Sequence, residues 1–324
     1  MESGERGRPQ RGRAFEEADR ISGDDRRPIE PMFGEGEEEL ELFVPERRQP
    51  PHPRRRRRGP RGETLKRIAV AIPWIVFAIT ITALGGAVFM TAMIVLAVIG
   101  LREFFQMARS ARPLQSAALI VAPAMIIAAH YGSSFQVLML TAASFVILFA
   151  FAAARQDREG VTLSIAMTLL GILWLGVPLV HAVLLRDLPD HGGALLIDVL
   201  VGTFVTDTAA YATGRLFGSR LITPQLSPNK TLEGLVGGFV IGTLAFWFAG
   251  LYQDWLSGVQ ALIMGACVAA LAPIGDLFES MVKRDLGIKD TGNIFGPHGG
   301  LLDRLDAVLF TIVIGYYLSV AFVY

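Results

Sequence analysis

The sequence predicts an all-α, polytopic integral membrane protein with a disordered N-terminal tail. Three observations carry that prediction. The 324 residues are 52% hydrophobic with a mean hydropathy of +0.45, above the roughly 45–50% apolar content, glycine included, of soluble domains. The excess lies beyond residue 67, because the first 66 residues are almost entirely polar. From Leu65 onward, nine apolar stretches recur over about 66–85, 87–107, 113–131, 134–154, 160–185, 193–213, 234–254, 258–282 and 302–324. Each is near the ~20 residues that a bilayer crossing requires.

Residues 1–64 read as a charged tail. They are rich in Arg, Glu, Gly and Pro, with too few large apolar side chains to offset the entropy of ordering. Like-charge blocks stand out at Glu37 to Glu39 with Glu41, and at Arg54 to Arg58. The arginine run suits a topology determinant that touches anionic lipid headgroups. A nucleic-acid arm fits less well, because no aromatic residues interleave with the arginines, and no nucleic-acid partner is expected. No apolar core with a small-residue cleavage site stands near Met1, so no signal peptide is expected. Cys267 is the one cysteine, which excludes an intramolecular disulfide.

Charge then tests the nine-span domain, residues 65–324. Of 30 Lys and Arg, 17 fall within the first 67 residues, leaving 13. If the tail is cytoplasmic, the connections after spans two, four, six and eight are too, and 12 of those 13 fall on that side. Arg186 alone falls opposite. This split agrees with the positive-inside rule and places the polar connections 214–233 and 283–301 together on the cytoplasmic face.

The densest polar stretch runs from Ser280 to Asp306, between the last two spans. Asp276, Ser280 and Lys283 sit at i, i+4 and i+7 and share a helix face; Asp303 and Asp306, at i and i+3, share another. Charges beside a bilayer are expensive and tend to be functional. Asp276 and Asp303 are therefore expected to meet across spans eight and nine and hold Mg²⁺, with Asp306 a further candidate. An ion-pair network with Lys283, Arg284 and Arg304 that pins the two helices is the alternative. The turn Pro297-His298-Gly299-Gly300 would let backbone amides approach a ligand. Before span seven stands Ser227-Pro228-Asn229-Lys230-Thr231-Leu232-Glu233-Gly234. Ser227 or Asn229 is expected to cap the following helix, with Lys230 and the first-turn amides facing the same site. Asp207, two turns inside span six, is a functional candidate by its depth. Glu103, in Arg102-Glu103-Phe104-Phe105, is expected at the membrane interface. His130, His181 and His191 have no ligand-like spacing.

The order Ser280, two residues, Lys283-Arg284, four residues, Lys289-Asp290, then His298-Gly299-Gly300, two residues, Asp303-Arg304-x-Asp306 resembles the signature of the phosphatidate cytidylyltransferase (CDP-diacylglycerol synthase) family, at the family's spacing. Ser227 to Gly234 is similar to the family's Ser-Pro-Lys-Lys-Thr-x-Glu-Gly, with Asn229 where many members carry lysine. Asp207-Thr-x-Ala-Tyr211-x-x-Gly214-Arg215 resembles its intramembrane Asp segment. The resemblance covers residues 65–324 and leaves the tail outside.

The resemblance implies Mg²⁺-dependent transfer of the cytidylyl group of CTP to phosphatidate, giving CDP-diacylglycerol and pyrophosphate. It leaves open a second, monovalent cation. It implies metal binding at Asp276 and Asp303, phosphate binding by Lys230, Lys283, Arg284, Lys289 and Arg304, and positioning by Ser227, Thr231 and Glu233. Asn229, Asp207, Ser280 and His298 complete the expected substrate site. A homodimer in the cell (inner/plasma) membrane, with N-terminus and active site cytoplasmic, is also implied. A CTP-dependent lipid kinase would use the same metal logic. A CDP-alcohol phosphatidyltransferase lacks support because Asp-Gly-x-x-Ala-Arg is absent. A transporter would place its charges near the midplane and carry an internal repeat; here they cluster at one edge. Removing residues 1–60 is expected to leave specific activity largely intact, which assay of the inserted, truncated protein checks; loss of turnover would bring the tail into the site.

Overall fold

The computed structural model describes residues 61–288 and 300–324, with side chains from Pro73 onward. The tail, Lys289 and His298 lie outside the described residues. Nine long helices follow one another among the described residues: α1 (Arg61–Leu84), α2 (Gly86–Met107), α3 (Gln115–Tyr131), α4 (Ser134–Ala153), α5 (Val161–Arg186), α6 (Gly192–Phe217), α7 (Leu232–Gly250), α8 (Gly258–Asp285) and α9 (Leu302–Phe322). No β-strand occurs among the described residues, apart from a single bridge between Leu221 and Thr231.

The nine helices fall where the nine apolar stretches were expected. Seven are long and apolar enough to cross a membrane. The other two, α3 with 17 residues and the Pro73–Leu84 part of α1, are shorter apolar helices. At 1.5 Å per residue, α3 spans about 26 Å, less than the ~30 Å hydrocarbon layer. Large apolar side chains such as Phe145, Phe149, Phe239 and Phe248 face outward on α4 and α7. Water would not tolerate so continuous an apolar surface, whereas lipid does. The protein is a helical membrane protein.

Contacts between connections show which ends lie together. Arg155, after α4, donates to the carbonyls of Arg112 and Pro113, after α2, at 2.9 and 3.2 Å. Arg112 in turn pairs with Asp157. The Glu159 amide and Arg112 hold the Asp157 carboxyl below its usual range. Lys230, after α6, reaches Asp276 near the end of α8. At the opposite end Arg186 donates to the Thr82 carbonyl at 2.6 Å, and His130 meets Asp187. The basic connections therefore gather at one end of the bundle, and Arg186 sits at the other.

The interior is built for close approach between α6 and α7. Every fourth residue of α7 facing α6 is glycine: Gly234, Gly238 and Gly242. A Cβ at Gly242 would stand 1.9 Å from Thr206 Oγ1, and one at Gly238 would stand 2.8 Å from the Ala210 Cβ. Without a strong hydrophobic force between helices in lipid, such small-residue contact is what holds them together. Gly238→Val is expected to lower stability by about 2 kcal/mol through overpacking, read as a lower thermal midpoint in detergent; an unchanged midpoint would show that the seam has slack.

Candidate active site

Helix α8 supplies the centre of the site. It is 28 residues long and begins at a capping box, in which Ser257 accepts from the Gln260 amide while the Gln260 side chain accepts from the Ser257 amide. Its C-terminal turns carry Asp276, Glu279, Ser280 and Lys283 toward α9. At Gly275 the two helices nearly touch: a Cβ there would lie 2.4 Å from the Asp306 carbonyl oxygen. That approach brings carboxylate oxygens of Asp276, Glu279 and Asp306 within 4.8 Å of one another.

Glu279 is the member that the sequence reading missed. It is only 2% exposed, and its Oε1 has no hydrogen-bond donor among the described residues. Its Oε2 is held by Lys283 Nζ at 3.0 Å. The signal was present, since Glu279 lies i+3 from Asp276 and i−4 from Lys283 on the same face. Asp303, expected to pair with Asp276 around a metal, instead holds Lys283 at 2.8 Å and accepts from the Gly300 amide at 2.8 Å. Asp303 lies beside both Lys283 and Glu279, and Asp306 joins Asp276 and Glu279. The ion-pair alternative is thus present beside the cluster, in Lys283 with Glu279 and Asp303.

The connection before α7 closes the site from the other side. Lys230 Nζ lies 2.9 Å from Asp276 Oδ2 and 3.4 Å from the Pro273 carbonyl. Neither Ser227 nor Asn229 caps α7; Thr231 does, accepting from the Gly234 amide at 3.1 Å. A cap must directly precede its helix, and α7 begins at Leu232, later than Ser227 or Asn229 allows. Glu233 accepts from the Ser219 amide and hydroxyl and from the Arg220 amide. The Leu232 amide goes to the Arg220 carbonyl. These bonds fix the loop that presents Lys230, and they occupy amides that were expected to face a phosphate. Ser227 shapes the same loop, its carbonyl taking the Lys230 amide at 3.4 Å, and Asn229 is exposed. Ser280 Oγ lies 3.4 Å from Asp276 Oδ1, and Arg284 is exposed beside them.

A cavity of about 350 Å³ leads away from this centre. Asp207, Thr208, Asp303, Arg304 and Asp306 line its polar end; Phe77, Phe89, Met93, Leu200 and Ile312 are among its apolar walls. Asp207 is close enough to Asp276 and Lys230 to feel both charges. Glu103, expected at the interface, is instead 1% exposed and accepts from the Leu301 and Leu302 amides at 3.0 and 3.1 Å. The start of α9 folds over it and excludes solvent.

Residues 65–322 match the family model described as the Cytidylyltransferase family. The chain belongs to the cytidylyltransferase family. Among related proteins, it is 36% identical over 184 residues to the uncharacterized protein YnbB of Escherichia coli, covering 56% of this chain and 62% of that one. It is 35% identical over 154 residues to the phosphatidate cytidylyltransferase of Bacillus subtilis, covering 47% of this chain and 57% of that one. A phosphatidate cytidylyltransferase of Staphylococcus epidermidis is 30% identical over 253 residues, 76% of this chain and 95% of its own length. The match to the first two thus spans under two thirds of their length.

The carboxylate cluster fits a divalent metal ion. Three converging carboxylates repel one another without a cation, and among the described residues the buried Glu279 Oε1 meets no hydrogen-bond donor. Glu279→Gln and Asp306→Asn are each expected to weaken Mg²⁺ or Mn²⁺ binding by roughly 10-fold or more, measured by calorimetry on purified protein. Wild-type affinity in both variants would remove the cluster as a metal site.

Proposed function

We propose that this protein is a phosphatidate cytidylyltransferase, which transfers the cytidylyl group of CTP to phosphatidate and releases pyrophosphate. One juxtaposition carries the reading: a carboxylate cluster flanked by Lys230 and Lys283 stands at the polar mouth of an apolar cavity. The first suits a metal-bound polyphosphate, and the second suits the tails of a lipid. The names of the Bacillus and Staphylococcus relatives support the same activity.

In this reaction a phosphatidate phosphate oxygen attacks the α-phosphorus of CTP. One oxygen–phosphorus bond forms, the bond to the bridging oxygen of the β-phosphate breaks, and pyrophosphate carries off that electron pair. The nucleophile is already an anion, so no strong general base is needed. The barrier is repulsion between polyanions and charge growing on the leaving group. Asp276, Glu279 and Asp306 would hold Mg²⁺, with Asp303 joining them when Lys283 turns to a phosphate. When bound, the ion would neutralise phosphate charge and favour departure of pyrophosphate. Lys230, Lys283, Arg284 and Arg304, with Lys289, bind the phosphates; both lysines are already held in place by carboxylates. Ser280 orients Asp276, while Ser227, Thr231 and Glu233 hold the loop that carries Lys230. Asn229, Asp207 and His298 complete the substrate site. Phosphatidate enters with its headgroup beside Arg304 and its tails along the cavity.

The gathering of basic residues at the site's end supports a cytoplasmic active site and N-terminus in the cell membrane. The nine-helix enzyme domain from residue 65, the charged tail before it, the homodimer and any monovalent cation belong to the same proposal. Gel-filtration mass and a K⁺ titration read the last two.

Purified protein given phosphatidate, Mg²⁺ and CTP labelled at either the α- or γ-phosphate is expected to place α label in the lipid fraction and γ label in pyrophosphate. Asp276→Asn is expected to cut that transfer by more than ~10²-fold while the protein stays folded. γ label in lipid would establish a kinase instead, and no lipid label from either would end the enzymatic reading.

A further inference from the structure

We infer that Glu103 is a positioning residue for this reaction: from α2 it fixes the amino end of α9, and so sets where Asp303, Arg304 and Asp306 stand against α8. The inference rests on the proposed reaction for its activity readout, but its structural basis is independent of it. The Glu103 carboxylate is bidentate, with Oε1 taking the Leu301 amide and Oε2 the Leu302 amide. These are consecutive N–H groups that α9 cannot satisfy internally, because helix starts leave their first amides unpaired. A carboxylate answers both at once and matches the positive end of the helix dipole. The next bond upstream is local: Gly300 donates to Asp303 Oδ2. Three consecutive amides thus end on two carboxylates, and only the Glu103 pair comes from another helix, 198 residues away.

Glu103 works as a fixed reference because α2 is itself registered against α8. Phe104 meets Trp174 of α5 edge-on at 5.7 Å, Trp174 meets Phe278 of α8 at 5.1 Å, and Phe278 meets Phe310 of α9 at 5.5 Å. Phe104 is fully buried. Adjacent residues of α2 therefore reach both halves of the site: Phe104 reaches α8 through one ring, and Glu103 holds α9 directly. Phe278 stands between Asp276 and Glu279 in sequence, so the aromatic row reaches the same turn of α8 as the carboxylates. Glu103 itself belongs neither to the cluster nor to the cavity lining. Its action is through α9.

The test compares full-length wild type with Glu103→Gln, Glu103→Asp and Glu103→Leu. Hydrogen exchange of peptides spanning 300–308, without metal or nucleotide, is expected to be faster in all three, with the rest of α9 unchanged. Turnover is expected to fall by about 10–100-fold, since a shift of near 1 Å suffices for that. The KM for phosphatidate is expected to stay within about 2-fold, while the Mg²⁺ concentration for half-maximal rate rises. Gln, which keeps one acceptor, is expected to lose less than Leu. Phe246→Leu, in the buried core between α6, α7 and α8, serves as a variant lowered in thermal midpoint with wild-type kcat. Unchanged exchange at 300–308, or wild-type kcat and Mg²⁺ dependence in Glu103→Gln, would overturn the inference. Activity that follows the thermal midpoint across all variants, Phe246→Leu included, would reduce Glu103 to a structural role. Should Gln and Leu fail to insert, Glu103→Asp decides alone, because it keeps the charge but withdraws the carboxylate. Failure of the wild type to transfer cytidylyl would count against the reaction, and the exchange result would still decide the α2–α9 tether.

Discussion

The site depends on how closely α8 and α9 approach at Gly275. A side chain there would collide with the Asp306 carbonyl and the Ala307 backbone, and only contact this tight lets Asp276 and Glu279 share a space with Asp306. The arrangement is costly on its own. Three carboxylates at the edge of a membrane repel one another, and among the described residues no donor at Glu279 Oε1 recovers their desolvation. The protein offsets part of this with Lys230 from one side and Lys283 from the other. A bound cation would offset the rest.

The polarity of the surroundings follows from the same packing. The charged groups lie at one end of the bundle, where four connections meet, and the cavity beside them turns apolar within a few turns of α6 and α9. A soluble polyanion can approach the charged end, while a lipid can reach it from the bilayer with its tails still in apolar surroundings. Neither substrate needs to leave the solvent that suits it. This is an argument from placement, and it requires no moving part.

Around the site, several described backbone amides that the sequence offers to a ligand are already engaged. The glycine-rich turn before α9 and the Ser-Pro-Asn-Lys turn before α7 both look like phosphate cradles. In the folded protein the nearby amides are engaged with Glu103, Asp303, Thr231, Glu233 and the Arg220 carbonyl. In the proposed reaction, phosphate recognition would then fall to lysine and arginine side chains, which can swing between a carboxylate and a ligand as an amide cannot.

Much of this was legible in the sequence. Length and hydropathy located the helices because a bilayer imposes its thickness on any apolar segment that crosses it, and the arginine and lysine distribution sorted the connections onto two ends. Residue spacing put Asp276, Ser280 and Lys283 on one face because helix geometry is local. The tertiary structure decided what spacing cannot encode. It chose Asp306 and Glu279 rather than Asp303 as the neighbours of Asp276, because that depends on the rotation of α9 against α8 at Gly275. It chose Thr231 over Ser227 or Asn229 as the cap, because Ser227 to Lys230 form a turn and the helix does not begin until Leu232. It buried Glu103 beneath a helix start nearly two hundred residues away, a contact that no local pattern announces. Periodicity fixes a side chain's face; only packing fixes what that face meets.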